Sequence, residues 1–164
     1  MVESWASSEG ARRTMLANRR RDTKPELRVR RLLHAAGLRY TVDAPPAPPL
    51  RARADIVFSR RRIAVFIDGC FWHGCPTHGV QPKSNETYWR PKLARNRERD
   101  TQVTSDLKAR GWTVLRFWEH EDPRAVAQTV VAAWLGWDSA YGNTSSPKAD
   151  TKYLTSSAAD PKSN

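Results

Sequence analysis

Cysteine is scarce in this chain of 164 residues, which carries only Cys70 and Cys75. Two cysteines this close together do not make the disulfide framework of a small secreted domain, and they favour a metal site in a reducing compartment. Long hydrophobic runs are also missing: no stretch of about 18 apolar residues is present, so we expect no membrane span. The N-terminal residues lack the apolar region of a signal peptide, and we therefore expect a cytoplasmic protein.

Acidic residues are few relative to basic ones, with 17 Asp and Glu against 28 Lys and Arg. The resulting net charge of +11 indicates a polyanionic partner, for which nucleic acid is the commonest candidate. Charge alone leaves open a basic, soluble protein that has no such partner. The length fits one domain with a substantial core, and no internal repeat is visible.

Hydrophobic periodicity and turn residues predict an α/β domain with a small mixed sheet and helices outside it. Thr23 and Pro25 open a helix whose apolar face continues to Ala36, and a shorter helix is expected before it, through Leu16. The remaining elements are predicted as strands over 38–42, 54–58, 63–67 and 112–118, and as helices over 88–110 and 123–136. From Asp138 onward the chain has few apolar anchors, so we expect a disordered tail.

The segment richest in chemistry is IAVFIDGCFWHGCPTHG, which covers residues 63–79. Its Cys70, Cys75 and His78 supply two thiols and an imidazole within nine residues, a donor set that suits tetrahedral zinc. His120 follows the last predicted strand and can reach the same rim of the sheet as a fourth ligand. A site with four protein ligands is closed, so this zinc would be structural.

Several residues next to the zinc loop have more than one reading. His73 is not needed to complete the ligand set, so it remains a candidate zinc ligand, general base or phosphate donor. Phe71 and Trp72 lie beside it, and Trp89 begins the long helix. These large apolar side chains either pack against the core or wedge between base pairs of DNA.

Carboxylates supply the candidate residues for a second metal. Asp55 interrupts an apolar strand, either as an outward-facing residue of an edge strand or as a magnesium ligand. Asp68 ends the neighbouring strand and could assist, or could simply begin the following turn. Glu26 lies three residues after Thr23, and a capping box at the start of the helix explains it fully.

Four segments of the chain together resemble the very-short-patch repair (Vsr) DNA mismatch endonucleases: ADIVF, VFIDGCFWHGCPTHG, YWRPKLARNRERD and GWTVLRFWEHE. The resemblance covers roughly residues 4–136, including the opening SWASSEGARRTMLANRRRDTKPE. It implies a restriction-endonuclease-like core, in which a small mixed β-sheet is flanked by helices and accompanied by a structural zinc site. It also implies magnesium-dependent nicking of one DNA strand, 5′ to the thymine of a T:G mismatch.

The resemblance implies a role for each matching residue. Asp55 matches the magnesium-ligating aspartate, and Ile67 stands where the family uses a backbone carbonyl as a second ligand. His73 matches the catalytic histidine, and Glu26 matches a supporting glutamate. The aromatic residues that wedge into DNA and the helical residues that face the mismatch are matched by Phe71, Trp72, Trp89, Lys92 and Asn96.

With that resemblance, the chain is expected to have three parts. A basic N-terminal segment over 1–22 would contact DNA, an endonuclease domain would span 23–136, and a disordered tail would cover 137–164. The implied partner is double-stranded DNA, with mismatch-repair proteins and a repair polymerase acting on the same lesion. We expect a monomer in the bacterial cytoplasm, associated with the nucleoid.

The chain departs from the best-known family members in its metal loop. Residues 74–78 replace a histidine-rich segment, and His120 stands where those members carry a cysteine. Exchanging Cys for His still conserves a tetrahedral zinc cage. Two alternatives remain: a strand-specific nicking endonuclease of a defence or mobile element without strict mismatch dependence, and a non-catalytic, zinc-stapled DNA-binding module. Asp55 and His73 argue against the module, because simple binding needs neither.

Overall fold

The computed structural model describes residues 21–79 and 86–141, with side chains described as far as residue 136. The described residues form four α-helices and four β-strands. They are α1 (Lys24–Ala35), β1 (Thr41–Ala44), β2 (Ala54–Phe58), β3 (Ile63–Asp68), α2 (Cys70–His73), α3 (Glu86–Ala109), β4 (Thr113–Trp118) and α4 (Pro123–Tyr141). This order confirms the predicted α/β domain with a small mixed sheet flanked by helices. In the described residues, no helix is long and apolar enough to cross a membrane.

The four strands form one sheet in the order β1-β2-β3-β4. The first three strands pair antiparallel, and a tight 3₁₀ turn over Ser59–Arg61 joins β2 to β3 in a hairpin. β3 and β4 pair in parallel, so a crossover connection through α2 and α3 separates them. Parallel pairing brings the carboxyl ends of β3 and β4, at Asp68 and Trp118, to the same edge of the sheet.

Helices cover both faces of this sheet. On one face, α1 and α4 contribute Val29, Leu33, Val126 and Val130 to a core that also contains Ile56 and Val65 of the sheet. On the other face, Leu107 of α3 packs with Val57, Ala64 and Phe66. The C-terminal half of α3 therefore packs against the sheet through Leu107 and Val103.

The first helix begins and ends as its sequence predicts, apart from one detail of the cap. Thr23 is the N-cap, but its hydroxyl donates to Glu26 Oε1 over 2.7 Å and caps no helical N–H group. Gly37 follows the helix with φ at 81°, a conformation that favours glycine. The N–H of Leu38 then donates to the carbonyl of Leu33 over 3.1 Å.

Two predicted boundaries were wrong. The first strand was expected over 38–42 but covers Thr41–Ala44, because Leu38 is buried in the core as part of the helix end. The last helix was expected to close at Gly136, yet it continues to Tyr141, so residues 138–141 are helical and not part of a disordered tail. Gly136 has no positive φ and an exposed position, so nothing there ends the helix. The expected short helix through Leu16 lies outside the described residues.

Candidate active site and metal centre

Asp55 lies in an inner strand, since β2 pairs with β1 on one side and with β3 on the other. The reading of Asp55 as an edge-strand residue is therefore wrong. Its Oδ2 accepts a hydrogen bond of 2.7 Å from the backbone N–H of Ile67 in β3. This contact fixes the carboxylate beside the backbone of Ile67, and the family resemblance implies that these two groups share one magnesium site.

The surroundings of Asp55 disfavour the ionised form of its carboxyl group. Burial raises the pKa of Asp55 to about 6, and the N–H of Ile67 opposes this rise only in part. The carboxylates of Glu26, Asp68 and Asp43 raise it further. Carboxylates that destabilise one another in this way form an environment suited to a cation.

Glu26 is buried at the start of α1, with 4% of its surface exposed. Its Oε2 accepts the N–H of Asp22 over 2.9 Å, and its Oε1 accepts the hydroxyl of Thr23 over 2.7 Å. Arg30, one helical turn later, has a nitrogen 3.7 Å from Oε2. Both oxygens thus organise the helix start, while the charge of Glu26 is felt at Asp55.

His73 is the last residue of the short helix α2, which the sequence had not predicted. Its Nδ1 lies 2.5 Å from Oδ2 of Asp100 on α3 and 3.7 Å from Oδ1 of Asp68. Burial lowers the pKa of His73, but the hydrogen bond to Asp100 and the charge of Asp68 outweigh it, so this pKa is raised. His73 is therefore an oriented imidazole with a carboxylate partner.

Sequence reasoning missed both Asp100 and Arg116. Asp100 follows Asn96 by four residues, and this helical spacing puts both side chains on the face that meets α2. Arg116 forms a two-point ion pair with Asp68, with distances of 2.8 and 2.7 Å. Asp68 is therefore committed to Arg116. A cleft of about 630 Å³ runs past these groups, and its wall also includes Lys108.

The four predicted zinc ligands come together at the rim where β3 and β4 end. The ligand atoms of Cys70, Cys75, His78 and His120 all lie within 4.8 Å of one another. His120 Nδ1 is 3.1 Å from the sulfur of Cys70 and 3.8 Å from that of Cys75, while His78 Nδ1 is 4.0 Å from Cys75. Separations of about 3–4 Å suit four ligands around one tetrahedral ion, so this cluster could bind a metal.

The cysteines of this cluster are buried, and the two histidines are exposed. Burial raises the pKa of the Cys70 thiol, and the neighbouring Cys75 and Glu119 raise it further. A metal ion would counter this by favouring the thiolate. Glu119 also accepts the N–H of Cys70 over 2.7 Å, so this carboxylate holds the start of α2 at the end of β4.

The aromatic side chains of α2 and α3 form one cluster. Ring centroids are 5.1 Å apart for Phe71 and Trp72, 5.4 Å for Phe71 and Trp89, and 5.8 Å for Trp72 and Trp89. Trp89 is buried, with 7% exposed, whereas Phe71 and Trp72 are half-buried. Tyr88, which sequence reasoning missed, packs edge-on against Trp89 and is 41% exposed.

Lys92 and Asn96 lie on the turns of α3 that follow this cluster. Lys92 Nζ is 3.1 Å from the hydroxyl of Tyr88 and 5.2 Å from the centre of the Trp89 ring. Asn96 donates from Nδ2 to the carbonyl of Trp72 over 3.3 Å. Both residues line an open groove of about 490 Å³, together with Thr87, Tyr88, Pro91 and Arg95.

Comparisons with known proteins place the chain in a family. The family model for the DNA mismatch endonuclease Vsr matches residues 7–78. The type II nicking enzyme V.NaeI of Lentzea aerocolonigenes is 51% identical over 124 residues, which cover 74% of this chain and 75% of that protein. The type II nicking enzyme V.XorIIP of Xanthomonas oryzae pv. oryzae is 42% identical over 122 residues, covering 70% and 83% of the two chains.

A further relative carries the family's own name. The DNA mismatch endonuclease Vsr of Escherichia coli is 37% identical over 109 residues, which cover 65% of this chain and 67% of that protein. The matches therefore include both nicking enzymes and a mismatch endonuclease, each over most of its length. Taken with the family model, they show that this chain belongs to the Vsr family of DNA mismatch endonucleases.

Proposed function

We propose that this protein is a DNA endonuclease that nicks one strand of duplex DNA 5′ to the thymine of a T:G mismatch. The observation that carries the proposal is the placement of two unlike groups around the end of β3. The Asp55 carboxylate is tied to Ile67, and the His73 imidazole is tied to Asp100. A mixed sheet that holds Asp55 and Ile67 on adjacent strands, with His73 on the helix that follows, supports a restriction-endonuclease-like core.

Magnesium fits the first of these groups. The carboxylate of Asp55 and the backbone carbonyl of Ile67 would hold it, since Mg²⁺ prefers oxygen ligands and keeps several waters. The pKa of Asp55, which is raised by burial and by neighbouring carboxylates, supports this assignment. When bound, the ion would stabilise the negative charge that develops on the phosphate and lower the pKa of a bound water.

His73 supplies proton transfer or a hydrogen bond to the phosphate. Because Asp100 engages Nδ1, the other ring nitrogen, Nε2, is the one that can act on the DNA. The raised pKa of His73 favours the protonated form, which donates to a phosphate oxygen. Glu26 supports the site through its charge and by fixing the start of α1.

Zinc is the metal that best suits the Cys70–Cys75–His78–His120 cluster, because thiolate and imidazole ligands in a four-coordinate set are typical of structural zinc. Cys70 is the first residue of α2, the helix that carries both Phe71 and Trp72 and ends at His73. The metal would therefore hold the catalytic histidine and two aromatic residues in one rigid unit.

Mismatch selectivity follows from the aromatic cluster. Wedging an aromatic side chain into DNA costs a few kcal/mol of stacking per base step, and the cost is least where the base pair is already weakened. Phe71 and Trp72 are half-buried on a short helix, close enough to His73 for the wedge and the cut to be coupled. Lys92 and Asn96 line the adjoining groove and would face the mismatched bases.

A second candidate function keeps the chemistry but changes the substrate. The two relatives with 51% and 42% identity are named type II nicking enzymes, whereas the one named a mismatch endonuclease is 37% identical. This observation favours a strand-specific nickase of a defence or mobile element, acting without strict mismatch dependence. A non-catalytic DNA-binding module fits less well, because binding alone would not need a histidine held by a carboxylate.

The proposed chemistry is tested by nicking of end-labelled T:G duplexes with randomised flanking sequence, in magnesium. Asp55→Asn should abolish nicking while leaving binding to the duplex nearly unchanged, and His73→Ala should slow nicking by roughly 10²–10⁴-fold. Asp122→Asn makes the same chemical change at an exposed position and should nick as the wild type does. A wild-type rate in either the Asp55 or the His73 variant would refute the assignment.

A further inference from the structure

Arg116 makes an unusually ordered set of contacts at the end of the parallel strands. It lies opposite Phe66 in the register of β3 and β4, with its guanidinium 4.7 Å from the centre of the Phe66 ring. Nε and Nη2 donate to the two oxygens of Asp68 over 2.8 and 2.7 Å. Two parallel hydrogen bonds and a ring contact fix both the position and the plane of the guanidinium.

The same guanidinium also reaches the long helix α3. Nη2 lies 3.3 Å from Oδ1 of Asp100, and Nη1 donates over 3.4 Å to the carbonyl of Asp100 and to the hydroxyl of Thr104. The second carboxylate oxygen of Asp100, Oδ2, is the one that lies 2.5 Å from His73. One side chain therefore connects the strand end to the residue that orients the imidazole.

Two carboxylates lie near His73, and the contacts of Arg116 determine which of them pairs with the imidazole. Nδ1 of His73 lies 2.5 Å from Asp100 and farther, 3.7 Å, from Asp68. The side chains of His73, Asp100 and Asp68 are 24%, 20% and 12% exposed, respectively. Two carboxylates this close repel each other when both are ionised. Because Arg116 pairs with both and takes both oxygens of Asp68, Asp100 remains as the partner of the imidazole.

We propose that Arg116 is a positioning residue that holds Asp100 against His73, and that Asp68 anchors this arginine and does not serve as a magnesium ligand. The inference rests on the proposed function, because the effect of Arg116 on the reaction passes through His73. An arginine that merely clamped β3 to β4 would need Asp68 alone. Holding β3 against β4 does not require the additional contacts of Arg116 to Asp100 and Thr104.

A double-mutant cycle on nicking separates positioning from clamping. In single-turnover nicking of a T:G duplex, Arg116→Met should lower the rate constant roughly 10- to 100-fold, because a small displacement of a catalytic group costs this much. Its Kd for the duplex should stay within about twofold of the wild type. In the His73→Ala background, the same substitution should lower the rate by less than about twofold, since the residue through which Arg116 acts is absent.

Each outcome of this cycle either supports or overturns the positioning role of Arg116. Equal losses in both backgrounds, or weaker DNA binding at an unchanged rate, would overturn the inference. Arg116→Lys keeps the positive charge but cannot make two parallel hydrogen bonds to Asp68, so it should lower the nicking rate by a smaller factor. This effect, too, should disappear in the His73→Ala background. Arg116→Lys replaces Arg116→Met in the cycle if thermal melting shows that Arg116→Met is unfolded. Arg62→Met, at the opposite end of β3, should change neither rate nor binding. A wild-type rate in His73→Ala alone would instead refute the proposed function.

Discussion

At the scale of single residues, the ionisation of Asp55 is predicted to destabilise the fold. Burial raises its pKa to about 6 in the folded chain, from the ordinary value of 3.8 for an aspartate carboxyl group. A raised carboxyl pKa means that the folded state binds the proton more tightly, so its ionisation costs stability as the pH rises from about 4 through 6. In magnesium-free buffer, Asp55→Asn should therefore be more stable than the wild type at pH 8, by up to about 3 kcal/mol.

Urea unfolding at several pH values measures this difference. The gap between Asp55→Asn and the wild type should shrink as the pH falls to about 3, where the wild-type carboxyl is largely protonated in both the folded and the unfolded state. Adding magnesium at pH 8 should stabilise the wild type and not the variant, because a ligand that binds only the folded state raises stability. A variant less stable than the wild type at pH 8 would contradict the charge account.

The aromatic cluster gives a second prediction at this scale. Trp89 is 7% exposed and Tyr88, its neighbour in sequence, is 41% exposed. Trp89→Ala should therefore cost about 3–5 kcal/mol of unfolding free energy, as is usual for a buried tryptophan. Tyr88→Ala should cost less than about 1 kcal/mol. Chemical denaturation of the two variants measures both, and similar costs would show that Trp89 is not the buried support of the cluster.

Site residues could be predicted from the sequence where the residue type itself indicates the chemistry, as for cysteine and histidine as metal ligands. The four residues of the metal cluster come together as predicted, because a strand end and short spacings already constrain them. The pairing of Asp55 with Ile67 was implied by the family resemblance, and a hydrogen bond joins the two residues in the structure. Asp100 and Arg116 could not be found this way. Their roles depend on how α3 packs against α2 and on the register of β3 with β4. Neither the packing nor the register can be predicted from the local sequence.

At the scale of elements, the metal loop is predicted to be held by its ligands and not by its own secondary structure. α2 is only four residues long, too short to be stable alone. Cys75→Ser should lose zinc and lower the melting temperature by about 10 °C or more, because a closed site contributes folding energy. Metal analysis and thermal melting of the purified variant measure the two effects.

Two histidine variants serve as controls for this loop. His73→Ala should retain a full equivalent of zinc, because the four-ligand cluster excludes it. His34→Ala, at an exposed position of α1, should do the same. Zinc loss in the His73 variant would make that residue a structural ligand and remove the proposed proton donor.

Most elements could be predicted because their signals are local. The start of α1 at Thr23, the hairpin of β2 and β3, and the strand β4 follow from caps, turns and apolar alternation. The wrong boundaries occur where one residue type is compatible with two structures. Leu38 reads as a strand residue yet packs under the helix end, and Gly136 reads as a helix terminator yet lies within α4.

At the scale of the whole molecule, the charge of +11 predicts DNA binding dominated by phosphate contacts. Each contact releases counterions, so log Kd should rise with log salt by about 0.9 per phosphate contacted. Between 50 and 200 mM salt, the affinity should fall at least about 100-fold. Matched and mismatched duplexes should show the same slope, because phosphate contacts carry no sequence information. A slope near zero, measured by fluorescence anisotropy, would contradict this account.

The most direct test of the central claim compares the strand-nicking rates of the wild-type protein on two duplexes. The duplexes carry the same flanking sequences and differ only in a T:G mismatch against a matched T:A pair, with magnesium present. The account predicts that the T strand of the mismatched duplex is cut 5′ to the thymine at least about 100-fold faster, since roughly 3 kcal/mol of stacking is spared there. Equal rates on both duplexes, across many flanking sequences, would contradict the mismatch claim and favour the strand-specific nickase.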